Sequence, residues 1–88
     1  MAMKLVFRDT AFKHGLTREQ ITYALSNLVK CKRVFNKKFD NHNIWAIALL
    51  PNGNDCEIVY MYDNIETIVV FHAMSPTRKS FSKEIERK

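Results

Sequence analysis

Hydrophobic positions follow two different periods along the chain. Residues 18–29 carry apolar side chains at helical spacing, at Ile21, Ala24, Leu25, Leu28 and Val29. Such a stripe is typical of a helix that packs one face on a core. Thr17 and Gln20 precede the stripe at the spacing of a capping box. The pattern therefore predicts a first long helix over residues 18–29.

From residue 33 onward the period shortens to about two, with β-branched and aromatic residues between turn signals. This pattern predicts strands at residues 33–39, 44–50, 56–62 and 67–73. The turn residues of 51–55 and 63–64 join neighbouring strands, so we expect a meander of hairpins. The middle strands are apolar on both faces, which requires helices or a partner to cover part of the second face.

The two ends of the chain complete this architecture. Met3, Leu5 and Phe7 alternate as in a short strand, although residues 9–14 equally fit a helical turn. Ser75-Pro76 ends the last predicted strand and begins a closing helix, with Ser75 as N-cap. The expected fold is an α+β domain, a small antiparallel meander of about four strands packed with an N-terminal and a C-terminal helix.

Length and composition fit one domain spanning residues 1–88, because a chain this short has no room for a second core. The longest apolar run, 44–50, is far shorter than the ~20 residues of a membrane helix. Residues 1–13 lack the pattern of a signal peptide, so we expect a cytoplasmic protein without membrane contact. Cys31 and Cys56 have no C-x-x-C spacing and are predicted to be buried thiols; we expect no metal and no cofactor.

The net charge of +5 is unevenly distributed. Residues 1–40 contain nine Lys and Arg against three acids, whereas residues 41–74 contain four acids and no Lys or Arg. Clustered cations favour a polyanion such as RNA as partner. A merely soluble surface explains the same charges equally well.

Short motifs near both ends resemble the BrnT-like ribonuclease toxins of bacterial toxin–antitoxin pairs. Lys13-His14-Gly15-Leu16, ahead of the capped helix, is similar to the family's K-H-G-[IL] entry. Residues 68–79 are similar to its closing strand and the Thr-Arg/Lys-rich start of its last helix, and residues 57–60 to its central hairpin. The resemblance implies a RelE-like fold and metal-independent cleavage of RNA.

The same resemblance implies partners: mRNA or ribosome-associated RNA, and a cognate antitoxin encoded nearby that silences the toxin. The assembly it implies is a homodimer or a toxin–antitoxin heterotetramer. An apolar patch left on the sheet, rimmed by cations, would suit an acidic amphipathic segment of that antitoxin. Two alternatives stay open, a non-catalytic RNA-binding or ribosome-associated protein and a structural subunit.

Metal-free RNA cleavage needs a base, an acid and cations around the phosphate. The candidate catalytic residues are His72, Arg78, Lys79, His14 and Tyr62. Strand alternation places His72 with Ile68 and Val70, so a core histidine is an equal alternative to an acid–base role. For His14, satisfying helix carbonyls is the ordinary role. Tyr62 can stack a base or donate a proton, or it is simply a strand former with its hydroxyl at the rim.

Arg78 and Lys79 fall in the first turn of the predicted closing helix, where cations oppose the helix dipole. This placement predicts a bound anion such as a phosphate. Solvated charges are the alternative. Replacing either cation by alanine should weaken RNA binding or turnover and leave stability unchanged or slightly higher, because the substitution relieves repulsion with the helix dipole unless a bound anion uses the cation.

The candidate RNA-binding residues are Lys13, Lys32, Arg33, Lys37 and Lys38. Alternation places Arg33, Phe35, Lys37 and Phe39 on one side of a strand, where cations and rings can follow a single-stranded backbone. A basic edge strand that its lysines protect from aggregation fits the same pattern.

Overall fold

A computed structural model describes residues 4–38 and 40–87. The strands are β1 (Lys4–Phe7), β2 (Leu28–Asn36), β3 (Asn41–Leu49), β4 (Asp55–Asn64) and β5 (Thr67–Met74). The helices are a 3₁₀ helix (Asp9–Phe12), α1 (Arg18–Leu25) and α2 (Lys79–Glu86). The five strands form one mixed sheet in the order β1-β5-β4-β3-β2. The α+β class is therefore confirmed.

The antiparallel meander runs from β2 to β5, as predicted, but the sheet is not purely antiparallel. β1 pairs in parallel with β5 at one edge and raises the strand count from about four to five. A parallel neighbour needs a crossover connection. The whole chain between Phe7 and Thr67 serves as that crossover here.

The first long helix is shorter than predicted. Its start is confirmed, because Thr17 and Gln20 form both hydrogen bonds of the capping box, at 2.8 and 3.2 Å. It ends at Leu25, and Leu28 pairs with Ala48 in the sheet instead of extending the helical stripe. Strand pairing with β3 thus overrides the helical spacing of the last two apolar positions.

One face of the sheet, named here the α1 face, packs against helix α1. Ile21 and Ala24 of the helix are fully buried, as are Ala46, Ala48 and Ile58 of the strands beneath. The two alanines leave room for the helix to approach the sheet. Of the cysteines, Cys56 is buried in this core, whereas Cys31 is exposed, so the prediction of two buried thiols is wrong for Cys31.

The opposite face, named here the α2 face, is partly covered by helix α2. Phe81 stacks on Trp45 with ring centroids 5.0 Å apart and planes 11° from parallel. At the other end of the helix, Lys32 donates to the carbonyl oxygens of Glu84 and Arg87 at 2.9 and 2.8 Å. A cation on the last carbonyls of a helix stabilises that end. Within residues 4–38 and 40–87, no helix has the length and apolar character that crossing a membrane requires.

The closing helix begins later than predicted, with Arg78 rather than Ser75 as N-cap. Residues 75–77 are held on the start of β4 instead: the Ser75 hydroxyl donates to the Asp55 carbonyl at 2.7 Å, and the Thr77 N–H to the Asp55 carboxylate at 3.2 Å. The Ser75-Pro76 peptide bond is cis. This short loop brings Arg78 over the sheet.

Candidate active site at the carboxyl end of β5

A bulge in β5 decides where His72 points. Val59 pairs with His72 and Tyr60 pairs with Val70, so Phe71 is an extra residue in the strand. A bulge of this kind reverses the alternation beyond it. His72 consequently lies on the α2 face, whereas Val70 lies on the other face of the sheet. The alternative of a core histidine beside Ile68 and Val70 is therefore wrong. The 3₁₀ helix docks on the bulge, where the Thr10 hydroxyl donates to the Phe71 carbonyl.

Glu57 on β4 is the centre of the site, and its side chain is fully buried. The Arg78 guanidinium donates through Nη2 to Oε2 at 2.7 Å and through Nε to both oxygens at 3.1 and 3.2 Å. The Arg78 backbone N–H adds a bond to Oε1 at 2.9 Å, and His72 Nε2 lies 2.7 Å from Oε2. A buried carboxylate is tolerated only with partners of this kind.

These contacts keep Glu57 ionised. Burial by itself raises the pKa of the Glu57 carboxyl, but the bonds from the Arg78 side chain and backbone and from His72 outweigh it. The pKa is held below its ordinary value of 4.5. The paired carboxylate in turn raises the pKa of Arg78.

An ionised carboxylate accepts hydrogen bonds but cannot donate them. His72 must therefore carry its proton on Nε2, the atom that contacts Glu57. A neutral imidazole in this tautomer has a lone pair on Nδ1 that can accept a proton, as in other carboxylate–histidine pairs. The His72 side chain is 23% exposed, which leaves it accessible from the surface.

His14 brings a second imidazole to the site. It follows the 3₁₀ helix rather than an α-helix, in a turn closed by the Gly15 N–H on the Phe12 carbonyl at 3.2 Å. Gly15 adopts a φ of +87°, which favours glycine over residues with a side chain. The His14 and His72 rings meet edge to face, with centroids 5.3 Å apart. The alternative predicted for His14 is to satisfy carbonyls at a helix end; in the structure its ring instead contacts His72 just after the 3₁₀ helix.

This active-site cluster, defined as His14, Glu57, His72 and Arg78, can perform acid–base chemistry on an anion. Two imidazoles in contact can exchange the roles of proton acceptor and proton donor. Arg78 remains 53% exposed while it binds Glu57, so its guanidinium also faces solvent, where a phosphate can reach it. Lys13 and Lys79 are exposed and adjoin His14 and Arg78 in the chain, which adds positive charge.

Tyr62 does not belong to the active-site cluster. It pairs with Ile68 at the opposite end of β5 and lies on the α1 face, so its side chain is far from His72 along the strands and on the other side of the sheet. Its assignment as a catalytic residue is therefore wrong for this cluster. Its ring is 46% exposed and meets Tyr60 edge to face at 6.1 Å.

The structure separates the predicted RNA-binding cations. Lys32 is held on the end of α2, which gives it a structural role. Arg33 pairs with Ile44 and shares the α1 face with Phe35, as alternation predicted. Lys37 and Lys38 lie in the turn between β2 and β3. Phe39, part of the same prediction, lies outside the described residues.

The anion predicted at the start of α2 is, for Arg78, an internal one. The Glu57 carboxylate receives both the backbone N–H and the guanidinium of Arg78. Replacing Arg78 therefore strands a buried charge, and the expectation that stability stays the same no longer holds for it. Sequence reasoning missed Glu57, although an acid inside the apolar run 56–60 is a signal that a buried charge needs partners.

No protein-family model matches the chain, and no curated protein or solved structure matches it. The likeness of residues 13–16 and 68–79 to BrnT-like toxins stays a prediction. Across residues 4–38 and 40–87, no group of three or more His, Cys, Asp or Glu side chains is arranged to hold a metal ion.

Proposed function

We propose that this domain is a metal-independent endoribonuclease of RelE-like fold, the toxin of a bacterial toxin–antitoxin pair, acting in the cytoplasm on mRNA or ribosome-associated RNA. The contact between His14 and His72, with His72 bonded to buried Glu57 beside Arg78, carries the proposal. The excess of cations over residues 1–40 supports RNA as the substrate class.

In the proposed reaction, His72 Nδ1 accepts the proton of a ribose 2′-hydroxyl. The 2′-oxygen forms a bond to the adjacent phosphorus, and the bond from phosphorus to the 5′-oxygen breaks. Protonated His14 gives its proton to the leaving 5′-oxygen, so the products are a 2′,3′-cyclic phosphate and a 5′-hydroxyl. Arg78 stabilises the charge on the phosphate, and Glu57 stabilises the imidazolium formed on His72.

Cleavage of RNA should therefore continue in the presence of EDTA and yield these two ends. Purified protein is incubated with total cellular RNA, with and without EDTA, and the fragments are tested for 5′-hydroxyl ends by labelling with polynucleotide kinase. A 2′-deoxy substrate should resist cleavage because it lacks the attacking hydroxyl. Activity lost with EDTA, or fragments with 5′-phosphates, would contradict the proposed mechanism.

A second candidate is a small RNA-binding module without chemistry. It is favoured by the extent to which Glu57 and Arg78 satisfy each other, since four hydrogen bonds between them already account for the pair as a structural element. Binding of RNA with no cleavage under any of these conditions would select this candidate.

The proposed antitoxin has a suitable surface on the α2 face, where that helix does not reach. A groove of about 280 Å³ there is lined by Val6, Arg8, Met61, Asp63, Val69 and Phe71. Lys4 and Arg8 flank Val6 on the same side of the edge strand β1, whereas Asp63 is the acid of the groove. The apolar floor, with Arg8 in the lining and Lys4 beside it on β1, suits an acidic amphipathic segment of the antitoxin, in a toxin–antitoxin heterotetramer.

Val6→Asp should weaken the complex with a co-encoded antitoxin at least tenfold, because it places a carboxylate on the apolar floor against an acidic partner. Val6 is 36% exposed, so the domain should stay folded. Val29→Asp is the matched control, on the other edge strand at 56% exposure. Affinity is measured by titration calorimetry; equal binding by both variants would contradict this surface.

A further inference from the structure

The half of the α1 face that lies away from helix α1 is open and aromatic. Phe35 on β2 is 51% exposed and Tyr62 on β4 is 46% exposed, and His42 on β3 between them is exposed as well. Exposed rings in such a group are unusual on a small domain, whose core would gain by burying them. This group of exposed rings therefore indicates a surface that binds a ligand.

The three strands that carry these rings are neighbours in the sheet. Phe35 stands opposite His42 in the register of β2 and β3, and their rings meet edge to face at 5.3 Å. Ile44 stands opposite Tyr60 in the register of β3 and β4, so Tyr62 lies on the same face, two residues further along β4. Phe35, His42 and Tyr62 thus form one surface, named here the aromatic platform.

A groove of about 290 Å³ opens on the platform, lined by Arg33, Asn41, His42, Ile44 and Tyr62. It combines a guanidinium and an amide with two rings and one aliphatic side chain. Rings on a sheet face stack unpaired bases, and arginine can either stack on a base or bind a phosphate. The neighbouring β2–β3 turn adds Lys37 and Lys38 against Asp40, which leaves a net positive charge.

We infer that the aromatic platform, with Arg33, binds unpaired bases of single-stranded RNA. The inference rests on the proposed function for the identity of the ligand, and it adds a second contact surface. The platform lies on the α1 face, whereas His72 lies on the α2 face. Bases bound here are therefore remote from the phosphate that is cleaved, and the platform contributes affinity rather than chemistry. A duplex cannot use it, because the faces of paired bases are stacked within the helix.

The test measures binding apart from cleavage, with a short fluorescein-labelled oligodeoxythymidine that lacks 2′-hydroxyls. Fluorescence anisotropy gives its affinity for the full-length protein and its variants. Phe35→Ala and Tyr62→Ala should each lower the affinity roughly 5- to 100-fold, as loss of a stacked base does. Tyr62→Phe should keep the affinity, because the ring and not the hydroxyl is used. Thermal melts show that each variant is folded.

Tyr23→Ala is the matched control, since Tyr23 is 43% exposed but lies on α1 outside the platform; its affinity should equal that of the wild type. Wild-type affinity in both Phe35→Ala and Tyr62→Ala, or equal binding of a duplex, would overturn the platform. A protein that binds the oligonucleotide through these rings but cleaves no RNA sustains the platform and overturns the ribonuclease. Cleavage with unchanged affinity in both variants does the reverse.

Discussion

Arg78→Ala should destabilise the domain more than Glu57→Gln, although Arg78 is half exposed and Glu57 is buried. Removing Arg78 leaves the Glu57 carboxylate buried with His72 and one backbone N–H as its remaining partners. An uncompensated buried charge is more harmful than a lost bond. Glu57→Gln removes the charge and releases Arg78 into solvent. The free energy of unfolding of this variant should fall by about 1.5–3 kcal/mol, the range for a hydrogen bond to a charged group.

Two further variants complete this comparison, which is made by urea denaturation at neutral pH. Arg78→Lys should fall between wild type and Arg78→Ala, because an ammonium neutralises Glu57 but cannot form the forked pair. Lys79→Ala, the adjacent cation, should be unchanged or slightly more stable, since it only relieves repulsion at the start of α2. Equal stability of Arg78→Ala and Lys79→Ala would contradict the role assigned to the pair.

The stability difference between wild type and Glu57→Gln should also depend on pH. The pKa of Glu57 is held below its ordinary value of 4.5 in the fold. The folded state therefore stabilises the ionised carboxylate more than the unfolded state does. The contribution of the pair is fully present above that value. It should shrink as the pH falls below about 4.5 and through the lower folded pKa, so the two proteins converge in acid.

Much of the fold follows from hydrophobic period, and the exceptions have physical causes. The capping box at Thr17 and the strands of the meander follow from local pattern. Residues 28–29 and the parallel pairing of β1 could not be predicted in this way, because each depends on a strand that is distant in the sequence. Tertiary pairing overrides local preference in both cases.

The site was harder to predict than the fold. His14, His72 and Arg78 were all predicted from the sequence, and they lie together. The orientation of His72, however, depends on a β-bulge that no residue type predicts. The β4 carboxylate that unites them, Glu57, was missed because its partners come from β5 and from the loop before α2. Tyr62 was grouped with them by chemistry alone, and its position along β4 and its face of the sheet separate it from them.

His72→Ala should reduce RNA cleavage about 10²- to 10⁴-fold, the usual contribution of an acid–base group. The fold should persist, since His72 is partly exposed and Glu57 keeps its bonds to Arg78. His72→Gln isolates the chemistry, because an amide can still donate to Glu57 but cannot carry a proton away from the substrate. His14→Ala should lose activity to a similar degree, because it removes the second group of the pair.

The measurement that separates a catalytic from a structural role is the pH dependence of single-turnover cleavage at saturating protein. An acid and a base acting together give a bell-shaped profile, and each histidine variant should lose one limb of it. Tyr23→Ala, remote from the active-site cluster, should keep both limbs and the full rate. A folded His72→Ala or His72→Gln that cleaves at the wild-type rate would remove His72 from the reaction. Bell-shaped profiles in both histidine variants, each with a uniformly lower rate, would make the histidine pair structural and assign the acid–base chemistry to other groups.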